Sequence, residues 1–462
     1  MADELPTPDV TEDRDDAYAL DEKTVHAIQA AVEADDAETL VRLVDHMHAA
    51  DIADVLEQFD DATRQHAVTL LGSSFDGELL TELDEGIRED VIDALSPEVL
   101  SEAVRDLESD DVVDLIEDLG KGQQAAILDV LETSDRAAVE LSMSWPENSA
   151  GRLMQREVVS APAHWTVGQA IDFMRESEDL PDDFYHLVLV DPRYHPVGHV
   201  TLGKLMSSRR NVKLADITEE SFRTIPADQD EEDVAYAFNQ YHLISAPVVD
   251  SDGRLAGVIT IDDAMIVLDE EHEEDILRLA GVGDESLADR TLAIARRRFP
   301  WLFVNLITAI LASLVISQFE ATIAAIVALA VLMPIVASMG GNAGTQSMTV
   351  AVRALATRDL TRSNALRVIR REVVAGLLNG LVFAVVMGVI GVIWFGTPML
   401  GVVIGVAMVI NLAVAGLAGV GVPLVLDRVG IDPALASGAF VTTVTDVVGF
   451  FAFLGLAAAW LI

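Results

Sequence analysis

Apolar positions recur along this chain in three different rhythms. From Lys23 to about Leu141 they return every three or four residues, in ETLVRLVDHM, DIADVLEQFD, EDVIDALS, EVLSEAVRDL, DDVVDLIEDLG and QAAILDVLE. That is the period of short amphipathic helices. Several of these segments open on Asp or Ser-Pro, as helix N-termini do. ADVLEQF and VVDLIEDL look like degenerate copies of one unit, so the stretch predicts an α-superhelix of stacked helix pairs, with an ordinary helical bundle as the alternative. From 150 to 270 a strand, a helix, two strands and a helix start follow one another twice, and APVVDSDGRLAGVITIDDA sets an Asp-Gly turn between two apolar strands. LDEEHEEDILRLAGVGDESLADRTLAIARRRFPWL then reads as a long amphipathic helix. Five continuous apolar runs close the chain, at about 300–318, 321–347, 373–396, 398–426 and 434–462. Each approaches or exceeds the ~20 residues that cross hydrocarbon.

Charge sharpens this division. Residues 291–462 carry ten arginines against six acids, a surplus of +4, which leaves −50 on residues 1–290 for the chain's total of −46. An acidic soluble part and a lipid-embedded part are therefore expected. Lysine occurs only at positions 23, 121, 204 and 213. Such acid-rich, lysine-poor sequence resembles that of organisms with molar salt in the cytosol, where a Debye length of ~3 Å makes self-repulsion tolerable. On such a surface an isolated acid says little about metal binding. The absence of cysteine excludes disulfides and thiolate metal sites. The N-terminal MADELPTPDVTEDRDDAYALDEK lacks the basic and apolar regions of a signal peptide and is expected to stay in the cytosol as a disordered tail.

The basic triplet Arg296–Arg298 before Pro300 and Trp301 reads as a cytosolic membrane boundary. The loop RALATRDLTRSNALRVIRRE is strongly basic, whereas SQFE and FGTPML hold no Lys or Arg. The positive-inside rule then puts the N-terminus inside and the C-terminus outside, which agrees with five spans.

Two groups inside the spans carry candidate chemistry. Asp446 is the sole ionisable residue in the run from Ser437 to Ile462. A carboxylate at that depth costs roughly 2.5–3.5 kcal/mol on insertion scales, and normally faces a bundle interior or a wet pathway. Thr442, Asp446 and Gly449 are spaced to share one helix face, with Gly449 expected to leave room for a hydrated cation. In the second span Asn342, Gln346, Thr349 and Arg353 form a polar stripe, expected to line a pore, or else to glue helices together. Gly340 and Gly344 make a small-xxx-small pair that admits a neighbouring helix. Pore lining is assigned to Asn342, Gln346, Thr349, Thr442, Thr445, Gly340 and Gly344, and metal contact in the pore to Asp446. No spacing typical of Ser/His/Asp, P-loop or metal-hydrolase enzymes occurs, and no enzyme activity is expected.

MP…GGNAGTQSMTVAVRAL, RRFPWL and FVTTVTDVVGFFAFLGLA resemble the MgtE family of magnesium channels, and the doubled β-α-β-β-α pattern resembles a pair of CBS domains. The resemblance implies a multi-domain membrane protein: a tail at 1–22, an acidic helical domain at 23–145, CBS domains at 150–208 and 209–270, a connecting helix at 271–298, and a five-helix transmembrane domain at 299–462. It implies a homodimer in a lipid membrane, with no nucleic-acid partner, around a shared Mg²⁺ pore that cytosolic Mg²⁺ closes. The regulatory positions it implies are Asp230, Glu232, Asp263, Glu271, Glu274 and Asp275. His242 and Ile266 stand where the family has acids, so at least one regulatory site is incomplete. Asp110, Asp111, Asp114 and Asp118 are candidate partners on spacing alone. CBS pairs also take adenine nucleotides such as ATP, for which Thr260 and Asp263 have a suitable Thr-x-x-Asp spacing. A divalent-cation carrier or exporter and a nucleotide-responsive membrane sensor remain the alternatives.

Overall fold

The computed structural model describes residues 20–282 and 291–462, apart from 106, 118, 132, 178–179, 182–183 and 220–221. Two compact units meet at Leu268/Asp269.

The first unit opens with short helices at Glu22–Glu33 (α1), Ala37–Val44 (α2), Ala49–Glu57 (α3), Asp61–Leu71 (α4), Glu78–Glu82 (α5), Glu85–Ala94 (α6), Pro97–Arg105 (α7), Ser109–Glu117 (α8), Lys121–Val130 (α9) and Thr133–Ser142 (α10). Aspartates start many of them: Asp36 and Asp60 accept the backbone N–H three residues on, at 3.1 and 2.8 Å. Such caps satisfy donors that the first turn leaves free. The apolar stripes meet in one core that includes Leu40, Leu56, Leu80, Leu115, Ile116 and Ile127.

The double repeat follows. Its first copy is Ser160–Pro162 (β1), His186–Val190 (β2) and Pro196–Thr201 (β3), with helices described below. Its second is Ile225–Pro226 (β4), Ser245–Val249 (β5) and Leu255–Thr260 (β6). Both sheets have one parallel and one antiparallel pairing, in the orders β1-β2-β3 and β4-β5-β6, and both shift register at the same step, Leu189/Val190 and Val248/Val249. The helices are Ala150–Leu153 (α11), Val167–Glu176 (α12), Leu202–Ser207 (α13), Glu231–Tyr241 (α14) and Ile261–Leu279 (α15). The turns also correspond. Asp250 accepts the N–H groups of Asp252 and Arg254, and Gly253 takes φ +78°. Asp191 does the same for Arg193 and His195, with Tyr194 at φ +69° in the glycine's place.

One connection was not legible beforehand. Residues 150–155 precede the first strand of the first repeat but pack on the second. Ala150 and Gly151 donate to the carbonyls of Gln229 and Ala227, and Gln155 bridges to Val258. Gly151 is needed there, because a Cβ would lie 2.4 Å from the Trp145 ring.

The expected connecting helix over 271–298 corresponds to the end of α15 at Leu279, followed by Gly281 at φ +73°. Residues 283–290 lie outside the described residues, so the continuity of that helix does too.

The second unit holds helices at Thr291–Ser317 (α16), Glu320–Ala325 (α17), Ala328–Ala356 (α18), Ala365–Phe395 (α19), Pro398–Val429 (α20) and Pro433–Trp460 (α21). Five of them, with the first counted from Ile294, are long and apolar enough to cross a membrane. The second span was expected from 321; instead the chain breaks at Ile326 (φ −133°, ψ 84°), sets off α17, and begins the long helix at Ala328. The most enclosed helix is α20, whose buried residues run from Leu400 to Leu426.

Candidate ion path and cation sites

On α18 the buried positions include Gly340, Gly344, Ser347 and Ala351, one stripe of the helix. Asn342, Gln346, Thr349 and Arg353 lie outside that stripe and are exposed. The Asn342 amide donates to Ser338 Oγ at 3.4 Å, and the Thr349 hydroxyl returns to the Thr345 carbonyl at 3.0 Å. On α21 the buried stripe is Ser437, Val441, Thr445, Gly449 and Phe453. Asp446 sits beside it, half-buried, with no hydrogen bond or ion pair among the described residues. Thr442 is exposed, its hydroxyl turned to the Gly438 carbonyl at 2.8 Å.

Three of the positions read as pore-lining do not line a surface of this chain. A Cβ on Gly340 would meet the Asn411 amide at 2.2 Å, and one on Gly344 would meet Val441 at 2.7 Å and Thr445 at 3.4 Å. Thr445 is fully buried and bonds the carbonyls of Val441 and Thr442. Gly449 likewise gives its space to Asn411, at 2.7 Å, and not to an ion. Small residues here serve helix approach.

In the first unit, the start of α8 brings Glu108, Asp110 and Asp111 together with Asp262 and Asp263 at the start of α15. Burial and this crowding of like charge push the carboxyl groups of Glu108 and Asp111 up to about 7, and that of Asp263 up to about 6. Asp110, buried against Asp263, is raised for the same two reasons. Thr260 Oγ1, donating to Asp263 at 2.5 Å, offsets part of this for Asp263. Gln155 donates to Glu108, and Ser109 Oγ donates to Glu157 at 2.8 Å. Asp114 adds its charge to the group, raising Asp111 and Asp263 further, and also pairs with Arg88 at 2.9 Å. The other candidates separate from the group. Asp118 lies outside the described residues. Asp230 is exposed and caps α14, accepting from the Glu232 N–H at 3.2 Å. His242 ends that helix at φ +53°, and Ile266 is 58% exposed.

In the second unit, Asp275 on α15 feels Asp432, the residue that caps α21; burial first, and that charge second, raise its carboxyl. Arg278 donates to Asp432 at 2.8 Å and also pairs with Glu274. Glu271 and Glu274 are half-buried on the same helix. No group of three or more His, Asp or Glu side chains among the described residues is set to hold a metal ion.

Comparison with known proteins decides the family. The profile described as a divalent cation transporter matches residues 333–456, that of the MgtE intracellular N domain matches 47–148, and that of the CBS domain matches 150–211 and 214–270. The magnesium transporter MgtE of Thermus thermophilus is 32% identical over 444 residues, 95% of this chain and 98% of that protein. The chain belongs to the MgtE family. The magnesium transporter MgtE of Bacillus subtilis is 28% identical over 91% of this chain and 93% of that protein, and the one of Enterococcus faecalis is 35% identical over 69% and 70%. Among solved structures, the cytosolic domain of the Mg²⁺ channel MgtE in complex with ATP covers 53% of this chain and 99% of its own, at 26% identity and a TM-score of 0.49. The soluble part of a magnesium transporter covers 54% and 98%, at 25% identity and a TM-score of 0.48.

Within this MgtE chain, four groups were missed by sequence reasoning. Glu108 and Asp262 adjoin acids that were named. Asp432 carried a usable signal, since Asp before Pro-Ala at a helix start is a cap. Asn411 carried another, being the polar side chain in the apolar run GVVIGVAMVINLAVAGLAGV. The CBS pair also holds a small open cleft of about 20 Å³, lined by Glu157, Phe184, Tyr185, His186, Ser245 and Thr260 among others. Asp263 is not in its lining.

Proposed function

We propose that this protein conducts Mg²⁺ across the cytoplasmic membrane as a homodimer, with Asp446 in the path. The reading rests on one observation: a half-buried carboxylate in mid-helix, without a partner among the described residues, while its own helix packs through a different stripe. Such a group is retained in hydrocarbon at a cost, and a hydrated cation would offset it. Mg²⁺ sheds water reluctantly and is commonly held by one or two carboxylates through waters it keeps. Asp446 from two protomers would supply a −2 ring, and Asn342, Gln346, Thr349 and Thr442 would hydrogen-bond the retained waters. The C-terminus then faces outside and the acidic N-terminal part the cytosol.

Closure by cytosolic Mg²⁺ follows from the crowded acids. Glu108, Asp110, Asp111, Asp262 and Asp263 repel each other when ionised, and a divalent cation removes that repulsion. If the closed state holds them nearer together, Mg²⁺ binds it better and shifts the population towards it. Glu274, Asp275 and Asp432 offer a second such group, in which Arg278 already neutralises part of the charge. An adenine nucleotide is the further ligand proposed for the CBS pair, on the Thr260 hydroxyl and the rings of Phe184 and Tyr185 that line the cleft, which would have to widen to admit it.

Mg²⁺ uptake into proteoliposomes tests the reading. Native protein should carry flux that falls when Mg²⁺ is raised on the N-terminal side, and Asp446→Asn should lose it. Equal flux in native and variant protein would remove Asp446 from the path and return the sensor reading. Asp446-dependent flux without inhibition would keep the path and discard the gate.

A further inference from the structure

Asn411 lies near the middle of α20 and is fully buried. Its amide nitrogen donates to the Val336 carbonyl of α18 at 2.8 Å. Its Oδ1 is buried and accepts no hydrogen bond among the described residues. The same side chain fills the space above two glycines on two other helices. A Cβ on Gly340 of α18 would meet Nδ2 at 2.2 Å, and one on Gly449 of α21 would meet it at 2.7 Å. Gly340 sits one turn after Val336, so the missing Cβ leaves that carbonyl open to the amide. Gly340 belongs to the GGNAGTQ stretch and Gly449 follows Asp446 by three residues. The seam continues one turn along: Gly344 packs on Val441 and Thr445, with Ala415 of α20 beside it at 3.9 Å.

We propose that Asn411 is a positioning residue for the ion path, a polar wedge that sets the spacing of α18 and α21 and so the place of Asp446 relative to Asn342 and Gln346. The proposal rests on the reading of Asp446 as the residue in that path. Its physical basis is an asymmetry. A buried amide oxygen without a donor is costly, and an apolar side chain of similar size would pack there without that cost. The amide therefore does something other than stabilise: a planar, hydrogen-bonded group fixes both glycine-bearing helices at one separation, where a flexible aliphatic chain would not.

The test uses the full-length protein in proteoliposomes, with Mg²⁺ as the probe and Asp446→Asn as control. Asn411→Leu should stay folded, with a thermal midpoint at or above native, yet need severalfold more Mg²⁺ for half-maximal flux. Gly449→Ala should lower flux comparably, because its methyl meets the amide. Asn411→Ala/Gly449→Ala should relieve that clash, and so recover thermal midpoint, without recovering flux, because the hydrogen-bonded amide is gone. A native half-saturation in Asn411→Leu, or native flux in the double variant, would overturn the proposal. If the native protein itself carries no Mg²⁺, the reading of the path fails, and the interlock is decided by the same cycle read as thermal midpoint in detergent. Recovery in the double variant then supports it, and simple additivity overturns it.

Discussion

At Asp111 the folded protein holds a carboxyl group whose pKa is pushed up to about 7 by burial first and by Asp263 and Asp114 next. Near neutral pH without a divalent cation, this residue opposes the structure around it, as does Glu108. Removing one of these charges should therefore stabilise. Asp111→Asn is expected to raise the thermal midpoint of the metal-free protein, by about 2–4 °C for each kcal/mol of repulsion relieved. It should also shrink the further rise that millimolar Mg²⁺ produces, since less charge is left to neutralise. Asp114→Asn should act in the opposite direction, because Asp114 answers the buried guanidinium of Arg88 at 2.9 Å. Differential scanning fluorimetry with and without Mg²⁺ separates the two. A fall in midpoint for Asp111→Asn in the absence of Mg²⁺ would show that the repulsion is already compensated. The same residues show how chemistry eludes spacing: Asp110, Asp111 and Asp114 are one short stretch of helix and all add charge to the acid group, yet only Asp114 also meets an arginine.

Elements differ in how well the sequence announces them. The amphipathic helices of residues 23–141 were legible because their period is local. The doubled strand order was legible because strands, turns and helix starts recur together. The apolar spans were legible by length alone, but the break at Ile326 was not, because hydropathy says nothing of backbone angles. Nor was the docking of residues 150–155 on the second repeat, which depends on partners more than 70 positions away, such as Ala227 and Val258. Gly340 and Gly344 do admit a neighbouring helix, as their spacing suggests, although they do not line a surface; the space at Gly449 goes to Asn411 and not to an ion, a difference visible only in three dimensions. Strands β2 and β3 carry a prediction of their own. His186 and His199 meet with ring centroids 4.5 Å apart, His186 faces Ser245 of β5, and Phe222 and the charge of Glu219 face His199. Burial, then the neighbouring imidazole, lowers His186 to about 4; burial lowers His199 despite Glu219. The unfolded chain thus binds more protons between pH 6.5 and about 4, so stability present above pH 6.5 is lost as pH falls through that window. The raised acids nearby act in the opposite direction, so the measurement is a difference. His186→Gln/His199→Gln should show less acid destabilisation than native between pH 6.5 and 4, by thermal midpoint. Parallel curves would mean that the pair titrates alike in both states.

For the whole molecule, the charge division is the dominant physical fact: −50 on residues 1–290 and +4 on residues 291–462. A charge density that high opposes compaction unless ions screen it. Monovalent salt does so diffusely, with a Debye length near 10 Å at 0.1 M and near 3 Å at 1 M. Mg²⁺ bound among the crowded carboxylates would do so locally, and would release protons from groups held near neutrality, such as Glu108 and Asp111. The two modes of screening should therefore substitute for one another in stability but not in control. Lowering KCl from molar to about 0.1 M is expected to lower the thermal midpoint of the protein, and millimolar Mg²⁺ to restore much of the loss. Flux should part from stability under the same change. Less screening strengthens repulsion among the acids of α8 and α15, so the pathway should become harder to close and the inhibitory Mg²⁺ concentration should shift. If repulsion among ionised acids holds the open state, that concentration rises as salt falls, because Mg²⁺ must overcome a larger opposing term. If direct competition of K⁺ for the carboxylates dominates instead, it falls. Measuring inhibition of flux by Mg²⁺ at several KCl concentrations decides between a repulsive spring and a competed binding site, and a threshold indifferent to salt would detach gating from the acidic surface altogether.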